Sequence, residues 1–160
     1  MIGKLLIWLM TLSFLLAACK PSTQGGHVLT EGSDSQNGER IYFTAISGRG
    51  DQITYTGGPG LGGMMMGSYL TCAACHGPEG QGGVHQMHMT VMNAPDIRYS
   101  ALSTMPEMQH STHSYGLADF KLAVEGGQHP DGEELNADMP RWNMSDADLQ
   151  DLLAFLKTLP

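Results

Sequence analysis

Two cysteines and a histidine lie within five consecutive residues, in the order Cys72-Ala73-Ala74-Cys75-His76. On a tight turn, thiols three positions apart reach the same side of the chain, and the imidazole follows directly after the second thiol. Side chains held so closely together serve a bound group of fixed geometry, and the rest of the chain has to fold around that group. This pentapeptide therefore restricts the possible folds more than any other stretch of the sequence.

The order Cys-x-x-Cys-His is the signature of haem c attachment. Each of Cys72 and Cys75 can form a thioether to a haem vinyl group, which puts His76 beneath the iron as its proximal ligand. A redox dithiol would be expected in a βαβ pattern, which is missing here. A zinc site would need a second pair of ligands, and the remaining cysteine cannot supply one. We predict a single covalent haem c held by Cys72 and Cys75.

The N-terminal residues have the pattern of an export signal. Lys4 precedes an apolar run over residues 5–18, which is shorter than the roughly 20 residues needed to span a bilayer. The run ends in Leu16-Ala17-Ala18-Cys19, which resembles the lipobox of bacterial lipoproteins, where the signal is cut before a cysteine that is then lipidated. The alternative is an ordinary signal with a chance cysteine, which would leave Cys19 as an unpaired thiol in an oxidising compartment. We predict a lipoprotein signal over residues 1–18 and a protein anchored through Cys19 on the periplasmic side of a bacterial membrane.

The remaining chain is predicted to be an all-α domain with glycine-rich loops. A flexible polar tether over residues 19–36 leads into a single domain over residues 37–160. Helical patterns cover residues 38–46, with Ile41, Tyr42, Ala45 and Ile46 on one face, and residues 115–125, with Leu117, Phe120 and Val124 inward. A glycine- and methionine-rich segment over residues 47–67 separates the first helix from the cysteine pair.

The C-terminal helix has the strongest pattern in the sequence. Ser145 is its predicted N-cap, with Asp148 three residues further on in a capping-box arrangement. An apolar stripe then recurs at helical spacing. We expect the acidic residues of this helix to form a solvated face, not a catalytic pair. The stripe comprises Leu149, Leu152, Leu153 and Leu156, and the acidic residues are Asp146, Asp148 and Asp151.

The sixth iron ligand decides the function, because a His–Met pair suits electron transfer and an open position invites ligand binding or catalysis. Among 12 methionines, Met139 is favoured because Met139-Pro140 directly precedes the capped helix. Trp142 follows, and we expect it to pack near the haem. Four histidines remain as weaker candidates for the sixth ligand. They are His27, His110, His113 and His129.

These features together resemble the class I cytochrome c family over roughly residues 37–160. Gly38-x-x-Ile41-Tyr42 is similar to its first helix, and Met139-Pro140 is similar to its distal loop. The resemblance implies a small helical domain around one covalent haem, with Met139 as distal iron ligand and the Pro95 carbonyl bonded to the His76 ring. Residues 47–67 depart from the family pattern as an insertion, unless residues 64–70 form the first helix instead.

Three functional classes stay open on these residues. The first is a non-enzymatic electron carrier, or else the tethered cytochrome subunit of an oxidoreductase complex. The second is a haem enzyme or gas binder with open iron, and the third is a copper-handling or copper-sensing module that contains haem. Copper is considered because His85, Met87, His88, Met89 and Met92 are soft ligands, although methionines also fill gaps around a haem. The formal charge of −8 with no basic cluster disfavours nucleic acid and favours a redox partner with a basic docking patch. We favour the electron carrier.

Overall fold

A computed structural model describes residues 32–50, 52–59, 70–87, 90–109 and 114–160. The predicted signal, Cys19 and most of the predicted tether lie outside these residues. Within them, no helix is long and apolar enough to cross a membrane. The elements in chain order are α1 (Ser35–Thr44), β1 (Thr54–Thr56), α2 (Cys72–His76), β2 (Gly83–Met87), β3 (Thr90–Ala94), α3 (Tyr99–Leu102), α4 (Pro106–Gln109), α5 (Leu117–Lys121), a π-helical continuation (Leu122–Gly126), β4 (Arg141–Asn143) and α6 (Asp146–Leu156).

The all-α prediction holds only roughly, because the described residues contain two antiparallel strand pairs. Strand β1 pairs with β4, and β2 pairs with β3 in a hairpin. Strands of three residues are too short to show alternating hydrophobicity. In the hairpin the alternation is hidden, because Val84 and Val91 lie on the exposed face and are 71% and 66% exposed. Neither strand pair shows the alternation of apolar and polar residues that is typical of a half-buried strand.

Helices α1 and α6 pack against each other and form the frame of the domain. Asp34 caps α1 by accepting from the backbone N–H groups of Gln36 and Asn37, so the helix begins inside the predicted tether. Gly38 permits close contact, since a Cβ there would overlap the Asp151 carbonyl and lie 2.8 Å from Phe155 Cβ. Ile41 and Tyr42 are buried as predicted. Ile46 is 38% exposed because α1 ends before it, at a left-handed Ala45.

The acidic face predicted for α6 is wrong at two of its three positions. Asp148 and Asp151 are each only 2% exposed, whereas Asp146 is solvent-facing. Asn37 Nδ2 donates to both buried carboxylates, at 3.2 and 2.8 Å, and Arg49 Nη1 donates to both at 2.6 and 2.8 Å. Ser47 Oγ donates to Asp148 at 2.7 Å. We call Asn37, Ser47, Arg49, Asp148 and Asp151 the helix-junction cluster. The helical period predicts that Asp148 and Asp151 lie outside the leucine stripe and face solvent. In the structure, side chains from residues 37–49 cover them.

Two other helical predictions agree with the structure in outline. Ser145 caps α6 by accepting from the Asp148 N–H at 3.1 Å, and its own hydroxyl donates to Asp148. The helix predicted over residues 115–125 is α5 and its π-helical continuation, with Phe120 and Val124 buried. It ends at Gly127, whose positive φ of 67° closes the helix.

Candidate functional site

Helix α2 presents the cysteine pair and the histidine from one capped turn. Thr71 caps it by accepting from the Ala74 N–H at 3.2 Å, and Gly77 ends it with a φ of 74°. Residues three apart on such a turn share a face. Cys72 and Cys75 therefore lie on the same side, and neither is in a disulfide.

The His76 ring is oriented by a backbone carbonyl. Its Nδ1 lies 2.9 Å from the Pro95 oxygen, and the residue is only 4% exposed. Burial and the neighbouring His85 lower the pKa of His76, against the opposing effect of the carbonyl. The ring is therefore neutral at neutral pH, and with Nδ1 engaged, Nε2 is the nitrogen left to bind a metal.

The two thiols have properties that disfavour redox dithiol and zinc chemistry. Burial raises the pKa of Cys72 to about 12, and burial together with the nearby Asp138 raises the pKa of Cys75. A reactive dithiol needs a lowered pKa, and a zinc site needs further ligands. No group of three or more His, Cys, Asp or Glu side chains that would hold a metal ion occurs in the described part of the chain.

These side chains line an apolar cavity of about 340 Å³ in the centre of the domain. Cys72, Cys75 and His76 lie in its wall together with Met139. The remaining lining is mainly apolar, with Tyr42, Leu70, Leu102, Phe120, Val124, Trp142, Leu152 and Leu156 among it. Two free thiols, an imidazole held by its Nδ1 and a thioether around an apolar space are the donor set that a covalently attached haem requires. The residues present fit that group.

Met139 comes to the cavity from the irregular chain that precedes β4. Met92, Met105 and His129 also line the cavity, so they are the described alternatives as a distal ligand. Met92 is an unsuitable alternative because it lies on β3, three residues before the Pro95 that holds His76. His27, His110 and His113 lie outside the described residues. Trp142 is 3% exposed, lines the cavity and packs on Tyr55 with ring centroids 4.9 Å apart.

The methionine- and histidine-rich stretch forms the β2–β3 hairpin. His85 and Met92 are cross-strand partners, and Met92 is buried in the cavity wall. The side chains of Met87, His88 and Met89 lie outside the described residues. Met92, one of the soft ligands proposed for copper, is thus a buried residue of the cavity wall.

Two residues hold the site together through contacts that have no signal in the sequence. Tyr42 is fully buried and donates from its hydroxyl to the Gly77 carbonyl at 2.5 Å, which fastens the end of α2 to α1. Arg141 donates to the carbonyls of Leu135 and Met139. The Tyr42 contact depends on α1 meeting α2, and the Arg141 contacts depend on the path of the irregular chain over residues 135–141.

The comparisons with known proteins agree with this geometry. The sequence model of the cytochrome c family matches residues 35–160, which is most of the chain and begins at the first residue of α1. No curated protein and no solved structure gives a significant match. The chain belongs to the cytochrome c family, whose members bind haem c covalently and carry electrons.

Proposed function

We propose that this protein is an exported, lipid-anchored monohaem cytochrome c that carries single electrons between respiratory partner proteins. One observation supports this best: Cys72, Cys75, His76 and Met139 all line a single apolar cavity. The first three are adjacent in sequence, but Met139 is distant and reaches the cavity through the fold. Haem bound there supplies an iron that alternates between the ferric and ferrous states.

On the proximal side, the proposed roles are attachment by Cys72 and Cys75 and iron ligation by His76. The bond from His76 Nδ1–H to the Pro95 carbonyl, at 2.9 Å, fixes the ring and makes Nε2 more basic. A buried, neutral imidazole held in this way keeps the same position in both oxidation states.

On the distal side, the proposed ligand is the Met139 thioether. It is neutral and a weak donor, so it favours ferrous iron and raises the reduction potential. Because the same two ligands stay bound in both states, little rearrangement accompanies electron transfer. With His76 and Met139 both bound, the iron would have no open position for a substrate or gas, which favours a carrier over an enzyme.

The proposed partners are redox proteins with a basic docking patch. The chain has 16 acidic and 8 basic residues, and complementary charge raises the association rate in a salt-dependent way. The lipid at Cys19 would restrict the search for these partners to a membrane surface.

The anchor is tested by a Cys19→Ser variant. We expect the wild-type protein to incorporate labelled fatty acid and to sediment with membranes, and the variant to be unlabelled and released with soluble periplasmic material. Stable attachment needs two acyl chains, because a single chain binds only reversibly. An unlabelled wild-type protein would contradict the anchor and leave the electron-carrier proposal intact.

The carrier proposal is tested by Met139→Ala in the haem-loaded protein. We expect the weak ferric absorption band of Met–iron ligation to disappear, the potential to fall and ferrous iron to bind carbon monoxide, which the wild type excludes. Met92→Ala and Met105→Ala are matched controls, because both side chains line the same cavity, and they should keep the band. If Met139→Ala keeps the band, or if wild-type protein binds carbon monoxide readily, the proposed ligation is wrong.

A further inference from the structure

The loop that carries Met139 has few bonds of its own. Between Leu135 and Pro140 the chain is irregular, with one turn in which the Met139 N–H donates to the Asn136 carbonyl at 3.0 Å. Asn136 Oδ1 also accepts from the Asp138 N–H at 2.9 Å. These bonds set the shape of the turn. They do not fix its position relative to the cavity.

Arg141 ties this turn to the rest of the domain. Its Nη1 donates to the Met139 carbonyl, and its Nη2 donates to the Leu135 carbonyl at 3.2 Å. One rigid guanidinium thus bridges both ends of the loop. Hydrogen bonds from a charged donor are roughly twice as strong as those between neutral groups.

Gly127 provides the surface on which the guanidinium rests. A Cβ at this position would overlap Arg141 Nε and lie 2.5 Å from Arg141 Cδ. The carbonyl of Gly127 accepts from the Leu135 N–H at 2.8 Å. The end of the π-helical segment, the start of the loop and Arg141 therefore form one contiguous contact.

The backbone of Arg141 is held by the segment inserted before the cysteine pair. Thr56 and Tyr55 of β1 pair with Arg141 and Trp142 of β4. Gly58 packs on Pro140, since a Cβ there would lie 3.1 Å from Pro140 Cγ. Residues 54–58 thus contact the four consecutive residues that follow Met139.

We propose that Arg141 is a positioning residue for the distal iron ligand, braced by residues 54–58, which gives this part of the insertion a function. The inference rests on Met139 being that ligand. Arg141 is not among the residues that line the cavity, and it acts by holding the Met139 carbonyl and the far end of the loop in place.

The test is Arg141→Ala in the haem-loaded protein, compared with Arg141→Lys and Arg49→Ala. Losing one charge-assisted hydrogen bond shifts an equilibrium by roughly tenfold or more. We expect Arg141→Ala to raise the fraction of iron without Met by about that factor, seen as a weaker Met–iron band and faster carbon monoxide binding. Arg141→Lys, which reaches a single carbonyl, should recover part of the band. Arg49→Ala weakens the helix-junction cluster and should lower stability with the band intact.

Tyr55→Ala gives a second measurement that leaves Arg141 in place. It removes the ring that packs on Trp142 and should weaken the Met–iron band less than Arg141→Ala does. A normal band and unchanged carbon monoxide binding in Arg141→Ala would overturn the inference, as would an equal loss in Arg49→Ala. The variants are compared with wild-type protein that itself shows the Met–iron band. A wild type without it refutes Met139 ligation itself, so the two failures are distinguishable.

Discussion

The two walls of the cavity are fixed in different ways. On the proximal wall, formed by residues 71–97, three contacts that place His76 lie close together in the sequence, and the bond from Tyr42 to Gly77 is the long-range addition. Thr71 caps α2, the Gly82 N–H donates to the His76 carbonyl at 2.9 Å, and the Pro95 carbonyl holds the ring. Each of these three contacts joins residues fewer than twenty positions apart.

On the distal wall, formed by residues 127–142, the Met139 loop is held by its neighbour Arg141, and the strand that follows the loop is paired with a distant segment. Arg141 holds the loop, Gly127 supports Arg141, and β1 braces β4 from a position before the cysteine pair. No helix carries Met139. Its position depends on the contacts of Arg141 within the loop and on the pairing of β4 with the distant β1.

This difference predicts which ligand is lost first when the fold loosens. Local contacts survive partial opening, whereas contacts between distant segments are lost with it. His76 is in addition adjacent to the attachment cysteine Cys75. The distal methionine should therefore dissociate under conditions that leave the proximal side intact.

The largest expected effect is the loss of stability when the helix-junction cluster between α1 and α6 is broken. Tyr42 of α1 and Leu152 and Leu156 of α6 line the cavity, and the helix-junction cluster joins these two helices. Replacing one partner of a buried ionic cluster costs about 3 kcal/mol. Asp148→Asn should lower the free energy of unfolding of the haem-loaded protein by about this amount at pH 7, measured by chemical denaturation.

The same variant should change how stability depends on pH. Burial raises the pKa of Asp148, but hydrogen bonds from Ser47, Ser145, Asn37 and Arg49 outweigh it and hold the pKa below its usual range. The folded protein thus binds this proton less readily than the unfolded chain, whose Asp pKa is about 3.9. The stabilisation is present above that pH and is lost as pH falls through the lower, folded value. Asp148→Asn should flatten this acid loss. An acid limb identical in Asp148→Asn and wild type would contradict the assignment.

The proximal wall could be predicted from the sequence because its chemistry is contiguous. Cys72, Cys75 and His76 occupy one capped turn, so their spacing alone determines that they share a face. The α6 stripe was equally predictable, since Leu149, Leu152 and Leu156 repeat at the helical period and are all buried. The hydrogen bond between His76 and Pro95 was expected only through the family resemblance.

The rest required tertiary structure. Asp148 and Asp151 were placed on a solvated face because the helical period does not reveal that Asn37 and Arg49 cover them. Arg141 and Tyr42 have no local feature that announces their partners. The strands were missed because β1 and β4 are three residues each, and their pairing joins distant segments. The two aspartates, Tyr42 and the short strands each have a partner far along the chain. Arg141 bonds to nearby carbonyls, but the irregular loop that presents them has no sequence pattern.

A smaller effect is expected from substituting two glycines, one beside each wall of the cavity. Gly82 and Gly127 both have a φ of +67°, and a Cβ at each would overlap the group that fixes one ligand. At Gly82 that group is the Pro95 carbonyl, and at Gly127 it is the Arg141 guanidinium. Gly132, with a φ of +91° and nothing within 4 Å of a Cβ, is the control for backbone strain alone.

Backbone strain alone should cost each alanine substitution about 1–2 kcal/mol, because a left-handed conformation is strained for residues with a Cβ, and at Gly82 and Gly127 the overlap adds to this cost. Gly82→Ala displaces the carbonyl that makes His76 more basic, so the potential should rise while the Met–iron band persists. Gly127→Ala displaces Arg141, so the band should weaken and carbon monoxide should bind faster. Gly132→Ala should lower stability without either change. These outcomes are read from redox titration and ferric absorption spectra of the haem-loaded proteins. If Gly82→Ala and Gly127→Ala gave the same spectral change, the two walls would not be independently fixed, and the distinction between local and tertiary placement of the two ligands would fail.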